Sequence, residues 1–332
     1  METRIGMPSQ MSATSRRSPP ITKVVHQLTL PTVASKIIRR PAPGPSVCVV
    51  RDPSGDQMTR YFKSADGASL LAIGDSQKLL AKMPSGVFQT CVTSPPYWSL
   101  RNYHIKGQIG LEESLEDYLR SLVAVFNEVY RTLRDDGTLW LNIGDSYTSG
   151  GRTWRAPDKK NPVRAMNIRP PTPEGLKPKD LIGVPWRLAF ALQAAGWYLR
   201  TDLIWNKPNC QPESVKDRPT RSHEYVFLFS KQAHYYYDSS SVRGPNDRNI
   251  RSVLDINTRP FPEAHFATFP PALVDPCIRL ASRTGSLVLD PFLGAGTTGL
   301  VALALQRRFV GVELNPEYVA IAERRLNGAI VK

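Results

Sequence analysis

Short apolar runs alternate with amphipathic stretches along the chain from about residue 68 to residue 328. Apolar runs bounded by Gly, Pro, Asn or Asp predict buried strands at 70–73, 87–92, 138–143, 199–205, 225–229, 286–290 and 309–313. Apolar residues at helical spacing predict helices at 115–133, 180–195 and 272–281, and further helices that begin near residues 300 and 316. This alternation of strands and helices predicts an α/β fold, with a mostly parallel sheet and helices on both of its faces.

Several segments lack this alternation of strands and helices, and they separate a predicted tail from a catalytic domain with long loops. Residues 1–60 contain eight prolines and many Ser and Thr, which predicts a disordered, basic, Pro-rich tail. Ordered structure is expected to begin near residue 68, with one catalytic domain over 68–330. Long polar stretches at 148–180, 206–222 and 231–259 interrupt the domain, and we interpret them as functional loops. The tyrosines at 235–237 are expected to pack as a strand edge.

The charge balance favours a polyanionic partner. The 332 residues carry 43 Lys and Arg against 29 Asp and Glu, a formal net charge of +14. Residues 1–60 hold nine basic and three acidic residues, so the remainder still carries +8. A surplus of this size points first to nucleic acid. Candidate DNA contacts in the polar loops are Arg152, Arg155, Arg218 and Arg221, and for the last two a solvated or phosphate-facing role remains open.

The cysteines and the apolar runs exclude other classes of protein. Cys48, Cys91, Cys210 and Cys277 are far apart and form no C-x-x-C pair. This spacing argues against a zinc site or a disulfide framework, and it predicts a reducing compartment and no bound metal. No apolar run reaches the roughly 18 residues that a membrane-spanning helix needs, so no membrane partner is expected.

The segment Ser94-Pro95-Pro96-Tyr97 directly follows the strand predicted at 87–92. Its two prolines lack N–H donors, so the carbonyls before them have no local partners. Ser94 adds a hydroxyl and Tyr97 adds a flat ring. The segment therefore offers acceptors for an exocyclic amine and a face on which a planar heterocycle can stack.

A second polar segment lies near the C-terminal end. Asp290 ends one predicted strand and begins a glycine-rich turn, and Glu313 ends the next strand about 20 residues later. Glycines in such a turn let the backbone approach a ligand closely, and the second acid suits two ribose hydroxyls. A dinucleotide-binding fold would explain the same features and is the alternative interpretation of this turn.

These motifs resemble those of the amino-methylating DNA methyltransferases, which transfer a methyl group from S-adenosylmethionine to cytosine N4 or adenine N6. The Ser-Pro-Pro-Tyr motif and the Asp290-Pro291-Phe292 turn are both similar to motifs of that family. Ser94 precedes Asp290 by 196 residues, an order that resembles the circularly permuted β group. The resemblance covers about residues 68–328 and implies a Rossmann-like, S-adenosylmethionine-dependent methyltransferase fold.

The resemblance also implies a role for each matching residue. The implied catalytic residues are Ser94, Pro95, Pro96 and Tyr97. The implied cofactor-binding residues are Asp75, Phe269, Asp290, Phe292, Gly294, Gly296, Thr297 and Glu313. Asp75 belongs to an acidic turn, and a simple turn cap is the alternative interpretation of that residue.

The expected reaction is direct attack of the exocyclic amine on the methyl group, with the base extruded from the duplex. Ser94 and the Pro95 carbonyl would accept hydrogen bonds from the amine, and Tyr97 would stack on the base. Serine at the first motif position favours cytosine N4; adenine N6 and an RNA base are the alternatives. Carbon-5 methylation would need a cysteine nucleophile, but Cys277 lies in an apolar predicted helix and is expected to be a buried core thiol.

The resemblance sets expectations for partners as well. We expect a site-specific enzyme that acts on double-stranded DNA within a restriction-modification or epigenetic system. A cognate restriction endonuclease that cuts the same site is a possible partner. The expected location is the cytoplasm of a bacterial or archaeal cell, or of a cell that expresses a phage genome, with the protein associated with the nucleoid through DNA.

Overall fold

The structure is a computed structural model that describes residues 47–63, 69–149, 154, 170–259 and 269–330. The strands are β1 Val47–Arg51, β2 Ser69–Ile73, β3 Phe88–Thr93, β4 Leu133–Ile143, β5 Tyr198–Asn206, β6 His223–Ser230, β7 Val253–Asp255, β8 Leu287–Asp290 and β9 Arg308–Glu313. The α-helices are α1 Gly55–Lys63, α2 Ser76–Ala81, α3 Leu115–Thr132, α4 Val184–Ala194, α5 Pro271–Ala281, α6 Thr297–Ala304 and α7 Pro316–Ile330.

The strands form one sheet in the order β1-β2-β9-β8-β3-β4-β6-β5-β7. Among the described strands, β6 alone runs opposite to the rest, because it pairs antiparallel with both β4 and β5. Every other neighbouring pair is parallel. The prediction of a mostly parallel α/β sheet is therefore confirmed.

Both faces of the sheet are covered by helices. Along β2, Leu70 and Ala72 join one buried cluster with residues of α2, α3 and α4, whereas Leu71 joins a second cluster with residues of α5, α6 and α7. Successive residues of a strand point to opposite faces, so a strand buried on both sides is a continuous apolar run. This is why the strands were visible in the sequence as unbroken apolar segments.

Helix α3 shows how local sequence sets an element that supports the site. Ser114 caps its first turn, and the Ser114 hydroxyl accepts a hydrogen bond from the Asp117 backbone N–H at 3.0 Å. Leu122, Phe126 and Val129 lie on its buried face. A helix at this position is what the sequence predicts, and the cap and the apolar stripe are the local features that form it.

The structure differs from the sequence prediction at the start of the chain. Residues 47–63 form β1 and α1, so ordered structure begins before residue 68, inside the segment predicted to be a disordered tail. Strand β1 pairs in parallel with β2 along its whole length. The apolar run of β1 covers only residues 47–50 and directly follows a Pro-rich stretch, so the sequence analysis included it in the predicted tail.

Other differences lie in the polar stretches. Helix α4 begins at Val184 rather than near residue 180, because Gly183 adopts a left-handed φ of 77° just before it. The 231–259 stretch contains the short strand β7, which sequence reasoning left irregular. The tyrosines at 235–237 lie outside any strand, although Tyr235 and Tyr237 pack against the second buried cluster.

Candidate active site

The predicted functional turns meet at one edge of the sheet, beyond the carboxyl ends of β2, β3, β8 and β9. Strand β3 lies beside β8, so the catalytic and cofactor motifs become neighbours despite their separation in sequence. The Thr93 hydroxyl donates to Asp290 Oδ1 at 2.7 Å, and the Thr298 hydroxyl donates to the Val92 carbonyl at 3.1 Å. The two motifs are therefore tied together by buried hydrogen bonds.

The acidic turn after β2 is held in the same assembly. The Ser76 hydroxyl donates to the Pro291 carbonyl at 2.6 Å, which links this turn to the glycine-rich turn. Asp75 caps α2, where its carboxylate accepts from the Lys78 N–H at 2.9 Å. Asp75 is thus a helix cap that also faces the cleft described next.

A cleft of about 1140 Å³ runs along these turns. The sequence-predicted residues that line it are Asp75, Ser94, Pro95, Pro96, Tyr97, Arg221, Phe269, Phe292, Gly294, Thr297 and Glu313. Asp290, Gly296 and Arg218 are not among its lining residues. Arg152 and Arg155 lie outside the described residues, as do residues 260–268.

Glu313 lies in the cofactor half of the cleft at the end of β9. Its carboxylate accepts from the Gly294 N–H and from the Asn315 N–H, each at 2.9 Å. Burial raises the pKa of Glu313, although these backbone donors oppose that effect. The carboxylate is therefore fixed in direction and faces the glycine-rich turn.

Asp290 lies beneath the cleft and is 1% exposed. Its Oδ1 accepts from the Thr93 hydroxyl and from the Phe292 N–H at 3.0 Å. Burial raises the pKa of Asp290 to about 6, although its hydrogen bonds work in the opposite direction. In this structure Asp290 shapes the turn between β8 and the glycines, and its side chain is already engaged with protein.

Gly296 is required by packing rather than by approach to the cleft. Its φ is 78°, and a Cβ at this position would lie 2.9 Å from the Cβ of Ala322 in α7. Only glycine avoids both the strained backbone and this collision. The second glycine of the turn thus allows α7 to pack against the start of α6.

Arg101 also lines the cleft, in the loop that follows the Ser-Pro-Pro-Tyr segment. Its Nε is buried and has no hydrogen-bond partner among the described residues. A buried guanidinium nitrogen without a partner is costly in a folded protein. Arg101 is therefore a candidate to meet an anionic group of a ligand.

The Ser-Pro-Pro-Tyr segment is held from two sides. Tyr118, buried on α3, donates its hydroxyl to the Pro96 carbonyl at 2.9 Å. On the other side, a Cβ at Gly144 would lie 2.7 Å from the Tyr97 ring and 3.3 Å from Glu224. The Tyr97 ring therefore packs directly on the backbone that follows β4.

A polar network surrounds Ser94, and sequence reasoning missed most of its members. Asn142 Nδ2 lies 3.2 Å from Ser94 Oγ, 3.1 Å from the Tyr97 hydroxyl and 3.1 Å from Glu224 Oε2. The Tyr97 hydroxyl donates to Glu224 Oε2 at 2.7 Å, and the Lys207 ammonium donates to Glu224 Oε1. We call Ser94, Tyr97, Asn142, Lys207 and Glu224 the Ser94 network.

Electrostatics favour an ionised Glu224 in this network. Burial works to raise the pKa of Glu224, but Lys207, Tyr97 and Asn142 bring it below its usual value. Burial and the neighbouring Glu224 raise the pKa of Tyr97 well above its ordinary value. The Tyr97 hydroxyl therefore stays protonated and donates a hydrogen bond to the Glu224 carboxylate.

One sequence signal could have pointed to the missed members. Asn142 is a lone polar residue near the end of the apolar strand β4, and the structure shows it 5% exposed. A buried polar side chain at the carboxyl end of a strand is a common position for a functional group. Glu224 gives no such signal, because it lies at the beginning of β6 rather than at the end of a strand.

The predicted DNA-contacting arginines are engaged within the protein. Arg218 donates to Glu213 Oε2 at 2.6 Å, and its guanidinium lies 3.9 Å from the centre of the Tyr147 ring. Arg221 lies 3.6 Å from the buried carboxylate of Asp145 and lines the cleft. These contacts hold the 206–222 loop against the end of β4. DNA contact by either arginine stays a prediction.

Cys277 is a core thiol, as the sequence predicts. It is 3% exposed on α5, and its Sγ lies 3.2 Å from the Leu273 carbonyl. Burial raises the pKa of the Cys277 thiol well above its ordinary value, so the thiolate is disfavoured. Cys277 therefore has neither the exposure nor the ionisation that a catalytic nucleophile needs.

Within the described residues, no group of three or more His, Cys, Asp or Glu side chains is arranged to hold a metal ion. No helix within the described ranges is both long and apolar enough to cross a membrane.

Residues 88–324 match the family model described as DNA methylase, for the N6/N4 methylases. The Type II methyltransferase M.SmaI of Serratia marcescens is 58% identical over 277 residues, which is 82% of this chain and 95% of that protein. The Type II methyltransferase M.Cfr9I of Citrobacter freundii is 60% identical over 267 residues, covering 79% of this chain and 89% of that protein.

Solved structures share the fold. A candidate DNA modification methylase from Thermus thermophilus, complexed with S-adenosyl-L-methionine, superposes with a TM-score of 0.58 at 27% identity. The match covers 78% of this chain and 93% of that one. The cytosine-N4-specific PvuII DNA methyltransferase superposes with a TM-score of 0.59 at 23% identity, over 79% of this chain and 90% of that one, which shows the fold.

Proposed function

The chain belongs to the N6/N4 DNA methylase family, and from this premise we propose that it methylates the exocyclic N4 amine of cytosine in double-stranded DNA. The methyl donor is S-adenosylmethionine, the ligand with which the Thermus relative was solved. The 58–60% identical relatives are Type II methyltransferases, which supports a site-specific role in a restriction-modification system. A cognate endonuclease that cuts the same site belongs to this proposal.

The cofactor half of the cleft fits S-adenosylmethionine in its chemistry. The carboxylates of Asp75 and Glu313 can accept from the amine and hydroxyl groups of a nucleoside, and Gly294 allows close backbone approach. The unpartnered Nε of Arg101 suits the carboxylate of an amino acid. When bound, S-adenosylmethionine supplies a methyl group on a sulfonium, which is activated without a metal.

The catalytic half suits an exocyclic amine. Ser94 Oγ has two lone pairs, and the Asn142 N–H occupies one of them. The second lone pair and the Pro95 carbonyl can accept the two N–H groups of the amine. These acceptors are fixed before the substrate arrives, so they stabilise the positive charge that develops on the nitrogen without reorganisation. Tyr97 supplies the ring on which the base stacks.

Ser94 is the single observation that carries the choice of cytosine over adenine. A hydroxyl at this position is the pattern that resembles the cytosine-N4 enzymes, whereas Asp or Asn goes more often with adenine N6. Ser94 lies in the cleft, where its hydroxyl is held by Asn142. Adenine N6 is the alternative, with the same fold and the same transfer chemistry.

The target base has to leave the duplex to reach Ser94. The catalytic residues line a cleft inside the protein, and a base stacked in a helix cannot enter it. The 148–180, 206–222 and 231–259 segments are the proposed DNA-contacting loops. Lys207, Arg221 and Arg259 from these loops line the cleft. Lys207 and Arg221 are paired with Glu224 and Asp145, so the exposed Arg259 supplies positive charge where DNA would approach.

The experiment is a nucleoside analysis. The purified protein is incubated with S-adenosylmethionine and unmodified bacterial DNA, and the digested nucleosides are separated and identified by mass. N4-methylcytosine is the expected product. N6-methyladenine would overturn the base assignment, and the absence of either product with cofactor still bound would move the substrate to another polymer such as RNA.

A further inference from the structure

The Ser94 network contains a largely buried ion pair that the transfer chemistry itself does not require. The Lys207 and Glu224 side chains are 17% and 19% exposed, and Lys207 also lies 4.4 Å from the centre of the Trp205 ring. Burying a charge is costly unless it is paired and hydrogen-bonded. Asn142 contacts both Glu224 and Ser94, so the ion pair can act on Ser94 through a single side chain.

The orientation of the Asn142 amide follows from the charge on Glu224. An ionised carboxylate only accepts hydrogen bonds, so the Asn142 atom 3.1 Å from Glu224 has to be the NH2 group. That NH2 group then also faces Ser94 Oγ. Asn142 Oδ1 points away from these partners, and it is buried with no hydrogen-bond partner among the described residues. The Glu224 carboxylate therefore holds the Asn142 amide in an orientation that leaves Asn142 Oδ1 unpaired.

We propose that Glu224, paired with Lys207, is a positioning residue for methyl transfer: it fixes Asn142 as a donor to Ser94 and the Tyr97 hydroxyl as a donor to itself. This inference rests on the proposed function, because it concerns the same site. Glu224 touches neither reacting group. It acts through Asn142, whose N–H occupies one Ser94 lone pair and leaves the other for the amine.

Neutralising Glu224 allows the hydrogen bond between Asn142 and Ser94 to reverse its direction. A glutamine at this position offers an NH2 group as well as an oxygen, so the Asn142 amide can turn and present Oδ1 to Ser94. The Ser94 hydroxyl then donates to Asn142 instead of accepting from it, and its lone pairs change direction. The amine loses a correctly placed acceptor although every heavy atom of the network remains.

Lys207 gives a second route to the same change. The charged and titratable groups that face Glu224 are Lys207 after β5, Tyr97 after β3 and His223 on β6. Burial works to raise the pKa of Glu224, and without Lys207 only the neutral donors Tyr97 and Asn142 work against it. The pKa of Glu224 therefore rises when Lys207 is removed. The carboxylate of such a variant is protonated over a pH range in which that of the wild-type protein is ionised.

The test compares Glu224→Gln, Lys207→Met and Lys207→Arg with the wild-type protein. Single-turnover rates on DNA are measured from about pH 5.5 to about pH 9, with cofactor affinity measured by calorimetry. We expect Glu224→Gln to lower the transfer rate by roughly 100-fold, the typical effect of losing one preorganised hydrogen-bonding group. Cofactor affinity is expected to stay unchanged, because Glu313 and Gly294 lie in the other half of the cleft.

The pH profile separates positioning from general loss of structure. Lys207→Met is expected to show a rate that rises with pH as Glu224 ionises, a limb that the wild-type protein and Lys207→Arg lack. Lys82→Met is the matched control, because it removes a lysine from the Asp52 ion pair outside the cleft and should leave the profile unchanged.

Two results would overturn the inference: a wild-type transfer rate in Glu224→Gln, or a Lys207→Met profile identical to that of the wild-type protein. A variant that has lost cofactor affinity or melts early is replaced by Tyr97→Phe, which removes one donor to Glu224 but keeps the ring. An unchanged rate in that variant would also count against the network. Each rate is taken relative to the wild-type protein on whichever base it methylates, so failure here is distinct from a wrong base assignment.

Discussion

Replacement of Asp290 by asparagine tests whether this acid binds the cofactor or supports the turn beneath it. The asparagine oxygen can accept the same hydrogen bonds from the Thr93 hydroxyl and the Phe292 N–H. We therefore expect Asp290→Asn to keep most of the cofactor affinity. Asp290→Ala removes both hydrogen bonds, and we expect it to weaken cofactor binding because the glycine-rich turn loses its anchor to β3.

The same substitution has a calculable effect on stability. The pKa of Asp290 is about 6 in the folded protein, against an ordinary value of 3.8. The folded state therefore binds the proton more tightly, so protonated Asp290 favours folding and that advantage is lost as pH rises from about 4 through 6. At 1.36 kcal/mol per pKa unit, the whole effect is roughly 3 kcal/mol. About 2 kcal/mol of it falls between pH 4.5 and pH 7.5.

The assay is urea unfolding of the wild-type protein and Asp290→Asn across this pH range. Since asparagine does not titrate, the variant should gain about 2 kcal/mol relative to the wild-type protein as pH rises from 4.5 to 7.5. A stability difference that stays constant with pH would refute the buried-acid interpretation. Loss of cofactor binding in Asp290→Asn, with its fold intact, would show that the carboxylate contacts the ligand directly.

Three further substitutions test the transfer mechanism. Ser94→Ala should lower the transfer rate by roughly 100-fold, the typical effect of removing one preorganised hydrogen-bonding group, with cofactor affinity unchanged by calorimetry. Normal methylation by that variant would exclude Ser94 from the role proposed for it. Cys277→Ser should retain transfer activity because the thiol is buried and protonated, and complete loss of activity in a folded variant would contradict this mechanism. Gly144→Ala should reduce transfer but not cofactor binding, because the new Cβ would lie 2.7 Å from the Tyr97 ring. Equal losses of methyl transfer and of cofactor binding would instead indicate general unfolding.

Much of the fold was readable from the sequence because both faces of the sheet are buried. Strands such as β3 and β8 are continuous apolar runs, and helices such as α3 carry a cap and an apolar stripe. Edge elements were harder to find. Strand β1 and helix α1 were missed, because the apolar run of β1 is short and directly follows a Pro-rich stretch.

The sequence also located both halves of the site, since functional side chains follow the carboxyl ends of parallel strands. Ser94 and Glu313 were found in this way, and both line the cleft. It could not separate ligand-facing residues from supporting ones. Asp290 and Gly296 belong to the same motif as Gly294, yet one is buried under the turn and the other packs on α7.

Glu224 and Lys207 came only from the tertiary structure. Strand β6 runs antiparallel to its neighbours, so its first residues lie at the sheet edge where β4 and β5 end. The assembly of the whole sheet decides the direction of each strand. An apolar run has the same pattern of residues whether its strand pairs parallel or antiparallel with its neighbours. The sequence by itself therefore determined the order of the strands along the chain and the two motifs at their ends. The reversal of β6 placed a buried carboxylate beside Ser94, and only the packed sheet decided that.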